Sequence, residues 1–332
     1  LAFAGSTVLG SIPAQCKLLS DPLHIARPRR GSCVAARPQP AYNPSVAGVD
    51  ELRARLQNYF LSRPEVAMAF LFGSAARARL TADSDLDVAV YFYSAGAGAE
   101  WEEQHEYPEE DSIWADVERI ASIDTDLLVL NRAPATVAYA VLEENCPIVV
   151  KDVSLYWGLF LAVSSAAEDF RQFTREFLEI KERSRSLSEI DRDRLRRILD
   201  FIATEIADAG EFATLSRESY LTESSSRRNV ERWIENIVNA SIDVAKILLA
   251  AAQASVPQTY REILLNLDTL PNFETRIAEA LSRFSRLRNI LAHEYLDLRW
   301  GQISTFLREA VPFYQELFQY ASRALRVDNP SK

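Results

Sequence analysis

The chain has 332 residues, 48% of them apolar and 25% charged, with a formal net charge of −10. This excludes wholesale disorder and a collagen-like fibre, suggests two domains by length, and offers no run of about 18 apolar residues to span a membrane. Three cysteines with no C-x-x-C spacing exclude a disulfide framework or zinc ribbon and fit a reducing cytoplasm, and the acid excess counts against a nucleic-acid partner, since phosphate binding draws on positive charge.

The charge is uneven. Almost the whole acid excess falls in residues 51–150, whereas residues 1–50 are net basic and the remainder is close to neutral. Residues 1–47 lack periodicity and hold Pro13, Pro22, Pro28, Pro38, Pro40 and Pro44. They read as a disordered or artefactual leader, because no basic residues precede the mildly apolar Leu1 to Ala14 as a secretory signal requires.

Order is expected from Val49, with Asp50 as N-cap of a helix carrying Leu52, Leu56, Tyr59 and Phe60 on one stripe and stopped by Pro64. Val66 to Phe72, Leu86 to Tyr93 and Leu127 to Leu130 read as buried strands. Residues 94–116 are Gly/Ala-rich and then strongly acidic, through Glu100, Glu102, Glu103, Glu106, Glu109, Glu110 and Asp111, and read as a solvated excursion with His105 as surface decoration. A helix is expected after Pro134 and a last strand at Pro147 to Val150. From about residue 155 the apolar period becomes helical. Stripes starting at Leu195, Ile234, Ile277 and Ile303 predict an antiparallel four-helix bundle.

Two constellations carry chemistry. The first is Gly73-Ser74, ten residues, then Asp85-Leu86-Asp87. Two aspartates two apart on a strand point to one face, and two hard oxygen ligands there suit a magnesium ion that also takes phosphate oxygens. Gly73 permits close backbone approach, and Ser74 can donate to a phosphate. Asp126 is the candidate third carboxylate, a metal ligand completing a two-metal clamp, with Asp124 on the same alternating face as the fallback. Residues 50–152, including Leu130-Asn131-Arg132-Ala133-Pro134 and the closing strand, resemble the minimal nucleotidyltransferases of the DNA polymerase beta superfamily, the MntA-type antitoxins among them. The resemblance implies ATP as donor, magnesium as cofactor and Arg77 as a triphosphate contact; Ala75 stands where many relatives carry Arg, which removes one such contact.

The second constellation is Arg283-Phe284-Ser285-Arg286-Leu287-Arg288-Asn289, ending Ala292-His293-Glu294-Tyr295. His suits proton transfer near neutral pH, and Arg can hold a phosphate through two bonds. In a continuous helix Asn289 and His293 share a face, whereas Arg288 and His293 lie about 140° apart. Either the helix kinks or the site is shared with a second copy. The pattern Arg288, His293, Tyr295, together with 227–232 and Pro257-Gln258-Thr259-Tyr260-Arg261-Glu262, resembles the HEPN-domain ribonucleases, in particular HepT-type toxins. That resemblance implies a metal-independent endoribonuclease acting on tRNA or mRNA, a homodimer through this domain, Arg288, Asn289 and His293 as its catalytic residues, and Tyr295 as the tyrosine to which the antitoxin adds AMP.

The expectation is an α/β nucleotidyltransferase domain with a mixed sheet (48–152), a helical linker (153–187) and an all-α HEPN four-helix-type bundle (188–328), forming a cytoplasmic toxin–antitoxin fusion with no membrane partner. The alternatives are a small-molecule adenylyltransferase of the aminoglycoside type with a helical accessory domain, and a catalytically inert HEPN scaffold.

Overall fold

The computed structural model describes residues 46–76, 84–94, 98–183, 185–293 and 300–327. Residues 1–45 of the expected leader (1–47), Arg77 and Tyr295 lie outside them, as does the side chain of His293, and Val46 and Ala47 are already helical.

The first half is built on four strands, β1 (Val66–Leu71), β2 (Leu86–Phe92), β3 (Thr125–Val129) and β4 (Pro147–Val150), in the order β3-β2-β1-β4. β1 runs antiparallel to β2 and β4, and β2 runs parallel to β3, so the sheet is mixed as expected. All of β1 is buried because both faces are covered. A bulge between Val66 and Met68 resets the alternation. Val66, Ala69 and Leu71 then meet α1 (Val46–Leu61) and α3 (Glu110–Ala121), and Ala67, Met68 and Phe70 meet α4 (Ala135–Glu143). The expected N-cap, Asp50, lies inside α1, which begins a turn earlier at Val46.

One expectation fails. Residues 94–116 are not solvated throughout: Glu100, Trp101 and Glu103 are buried and the last part of the segment is already α3, whereas His105, Glu106 and Asp111 are exposed as expected. Trp101 packs with the core cluster on the α4 side of the sheet, and the neighbouring carboxylates are stabilised by donors from two directions rather than by water, which is what burial of a charge requires.

The second half comprises α5 (Val153–Arg183), α6 (Glu189–Phe212), α7 (Arg217–Thr222), α8 (Ser224–Ala251), α9 (Tyr260–Leu265), α10 (Thr275–His293) and α11 (Trp300–Val327). The four predicted stripes lie on α6, α8, α10 and α11 around one core. Ser188 caps α6 and Thr259 caps α9, each accepting the N–H three residues on. The 31 residues of α5, about 46 Å at 1.5 Å per residue, serve both halves. Leu159, Ala162, Val163 and Ala166 belong to the sheet's core, whereas Phe170, Phe173, Phe177 and Ile180 belong to the helical core.

Glu176 ties α5 into the bundle, accepting from Lys246 Nζ on α8 at 2.7 Å and from Arg194 on α6 at 2.9 Å. Burial alone would push its carboxyl up. Hydrogen bonds from Lys246, Gln172 and Arg194 outweigh burial and hold it at about 2. Among the described residues, no helix is long and apolar enough to cross a membrane.

Phe177 is fully buried and Trp157, on the same helix, is 53% exposed. Phe177→Ala is expected to cost about 3–5 kcal/mol in urea unfolding and Trp157→Ser no more than about 0.5 kcal/mol. Equal losses would contradict the double burial of α5.

Candidate functional site

Sheet register decides which aspartate faces the pair on β2. In the parallel β2–β3 pairing, Asp87 stands opposite Asp126, whereas the main-chain oxygen of Asp124 accepts from the N–H of Leu86. Asp126 is therefore the neighbour of Asp87, and Asp124 lies at the strand's entrance. Asp87 is half-buried, and its carboxyl is pushed up to about 6 by burial first and then by the negative charge of Asp126, with smaller contributions from Asp85 and Glu144. The backbone N–H of Ser74 works against this rise by bonding to Asp87.

Gly73, opening the short helix α2 (Gly73–Ala76), has φ +65°, a conformation that costs glycine nothing. A Cβ at this position would collide with the Asp87 carboxylate, so no other residue lets the β1–α2 turn close over it. The N–H of Gly73 donates to Glu144 Oε2 at 2.8 Å. Glu144, just past the end of α4, belongs to no motif in the sequence, and only the folded register brings it here. Among the described residues no three His, Cys, Asp or Glu side chains already converge as a closed ligand set. The aspartates nevertheless suit a divalent cation. They are hard oxygen donors whose mutual repulsion raises the pKa of Asp87, and a cation beside them would relieve that repulsion.

The second constellation lies on α10, which is helical from Thr275 to His293. Arg283 is exposed, but Arg288 and Asn289 are 9% and 8% exposed. Arg288 donates to Asp169 of α5 at 2.9 Å, and its guanidinium carbon lies 4.2 Å from the centre of the Tyr260 ring. Tyr260 opens α9, whose start is fixed by Thr259 accepting from the N–H of Glu262. The Pro257–Glu262 segment thus supplies the platform for Arg288.

Asn289 Nδ2 donates to Glu102 Oε2 at 3.1 Å, and Arg286 forms an ion pair with Glu103. Glu102 also accepts from the N–H of Ala135 at the start of α4. Burial raises its pKa, against the lowering effect of Ala135, Asn289 and Arg288. Glu102, Glu103 and Asp169 were not singled out from sequence as site residues. The signal available for the first two was an apolar Trp101 within an acidic run, which a fully solvated segment has no reason to carry.

Comparison with known proteins follows the same division. Residues 54–154 match the family model of polymerase beta nucleotidyltransferases, and residues 202–321 match that of HepT-like ribonucleases. The chain is a fusion of these two domain types. A tRNA nuclease HepT from Aphanizomenon flos-aquae is 25% identical over 119 residues, 35% of this chain and 81% of that protein. The fusion therefore carries a nucleotidyltransferase domain and a HepT-like nuclease domain on one polypeptide, with α5 running between them.

A carboxyl raised from 3.8 to about 6 destabilises the fold where it is ionised. That cost is absent below about pH 4, grows through pH 6 and is full above it. Without metal or nucleotide, Asp87→Asn is expected to raise Tm at pH 7.5 and leave it unchanged at pH 4. The site is half-exposed, so solvent screening limits the gain to about 1 kcal/mol, or about 3 °C. A Tm rise of the same size at both pH values would contradict the repulsion described for this site.

Proposed function

We propose that this chain is a self-regulating toxin–antitoxin fusion: the nucleotidyltransferase domain transfers AMP from ATP to Tyr295, and the modified HepT-like domain no longer cleaves RNA. The observation that carries the reading is the pairing of Asp87 with Asp126 beneath the Gly73-Ser74 turn, in a chain whose other half is HepT-like. Tethering supports Tyr295 as acceptor, because two sites on one chain meet at an effective concentration of about millimolar.

Asp85, Asp87 and Asp126 would hold magnesium, which when bound neutralises phosphate charge and orients the triphosphate. The N–H of Gly73, now bonded to Glu144, would turn to a phosphate oxygen, and Arg77 would add a second contact. The phenolic oxygen of Tyr295 forms a bond to the α-phosphorus of ATP while the bond from that phosphorus to the α–β bridging oxygen breaks. Pyrophosphate leaves, and the phenol proton passes to Asp126.

In the unmodified nuclease, Arg288, released from Asp169, would hold the scissile phosphate, Asn289, released from Glu102, would position it, and His293 would move the proton. AMP on Tyr295 adds negative charge and bulk two residues from His293, where an RNA phosphate would enter. Since α10 is helical from Thr275 to His293, a second copy of the chain is the source of the complementary half of that site. The tRNA specificity in the name of the Aphanizomenon protein makes tRNA the RNA class proposed here. An aminoglycoside-type transferase has no use for a HepT-like half.

Incubation with ATP and magnesium followed by peptide mass spectrometry should locate AMP on Tyr295, and Asp87→Ala should abolish it. The Asp87→Ala chain should cleave tRNA, and adding His293→Ala should reduce cleavage by at least about 100-fold. Modification only of an added aminoglycoside, or cleavage undiminished by His293→Ala, would overturn the reading.

A further inference from the structure

The loop that carries Glu102 and Glu103 is held rigidly from the transferase side. The N–H of Glu100 donates to Tyr91 Oη at 2.6 Å, that of Glu102 to the Ala133 oxygen at 3.3 Å and that of Glu103 to the Asn131 oxygen at 3.0 Å. Asn131 is itself fully buried, its side-chain amide bonded to both main-chain groups of Phe92 on β2. Glu102 has φ +57°, a left-handed conformation that costs a non-glycine residue about 1 kcal/mol or more and persists only where the surroundings impose it. Main-chain hydrogen bonds thus fix the two residues that reach across to α10, and backbone strain is stored at Glu102.

Their partners there, Arg286 and Asn289, are three residues apart and so share one face of α10. The contact is polar. Glu103 and Asn289 are each 8% exposed, Arg286 is half-buried, and each carboxylate has a donor matched to it. Buried carboxylates with specific donors specify register, because a displaced helix would leave them without partners.

α4 links this contact to the nucleotide end. Glu102 binds the N–H that opens α4, and Glu144, just past its last turn, binds the N–H of Gly73. The nine residues of α4 measure about 14 Å. Tyr295 follows Asn289 by six positions in the same polypeptide, so the contact with Glu102 tethers the residue read as acceptor to the transferase half of its own chain.

We infer that Glu102 and Glu103 are a docking clamp that presents the nuclease motif to the transferase domain of the same chain, so that AMP transfer is intramolecular even where chains assemble. They are positioning residues: they hold the acceptor helix and touch neither ATP nor Tyr295. This inference rests on the reading of Tyr295 as acceptor.

The test uses two differently tagged full-length chains, one unaltered and one Asp87→Ala, co-expressed so that mixed assemblies form, then given labelled ATP and magnesium. Mass spectrometry of the Tyr295 peptide should show AMP on the unaltered chain and at least about ten-fold less on the Asp87→Ala chain, the preference that effective concentration within one chain confers. Glu103→Arg alone should slow labelling by about ten-fold or more, and Glu103→Arg combined with Arg286→Glu should recover most of the rate, which a merely misfolded variant would not do. Equal labelling of the Asp87→Ala chain, or a Glu103→Arg rate equal to that of the unaltered chain, would overturn the clamp while leaving transfer to Tyr295 intact. Absence of AMP from Tyr295 on the unaltered chain would instead remove the transfer reading and the clamp with it.

Discussion

The structure depends on one helix being buried twice. Its first half completes the face of the mixed sheet through Leu159, Val163 and Ala166, and its second half enters the helical core through Phe170, Phe173 and Phe177. A helix shared by two cores couples the halves, because neither core can release its share of α5 without exposing apolar surface at about 25 cal/mol per Å². Asp169 sits between the two apolar segments and takes Arg288. The residue expected to grip RNA is thereby referenced to the same helix that closes the transferase fold.

Around that helix the charges divide the work. The transferase half is rich in carboxylates, and those that are buried have designated partners: Glu102 with Ala135 and Asn289, Glu103 with Arg286. Glu176, half-buried in the bundle, is held far on the ionised side by Lys246, Gln172 and Arg194. Asp87 is pushed up to about 6 by burial and by the carboxylates of Asp126, Asp85 and Glu144, although it accepts from the N–H of Ser74. Carboxylates that meet matched donors serve the architecture, whereas Asp87 faces other carboxylates across the β2–β3 pairing.

Much of the fold was legible because its signals are local. The last strand, Pro147–Val150, appears at its expected limits, and the four helical stripes found their helices, since period and flanking prolines report on short stretches of chain. What was illegible depends on distant residues. Charge content made residues 100–106 look solvated because Arg286 and Asn289, more than 180 positions later, are not visible in that window. The neighbour of Asp87 was narrowed to Asp126 or Asp124 by alternation alone, and strand register, a property of two strands together, distinguishes them. The net charge of −10 reports mostly on residues 51–150, whereas the HepT-like half is nearly neutral and carries Arg276, Arg283, Arg286 and Arg288 on α10.

The order of the halves along the chain has a consequence in time. During synthesis, domains fold as units from the N-terminus, at about 5–20 residues added per second. The sheet, the Glu102–Glu103 loop and Asp169 all emerge before Arg286, Arg288 and Asn289 do, by an interval of order ten seconds. The motif helix is therefore born into a body that already holds its partners, and the ribosome never releases a HepT-like half without its counterpart. Two separate polypeptides would have to find each other by diffusion to make that contact. A single reading frame in this order achieves it by geometry.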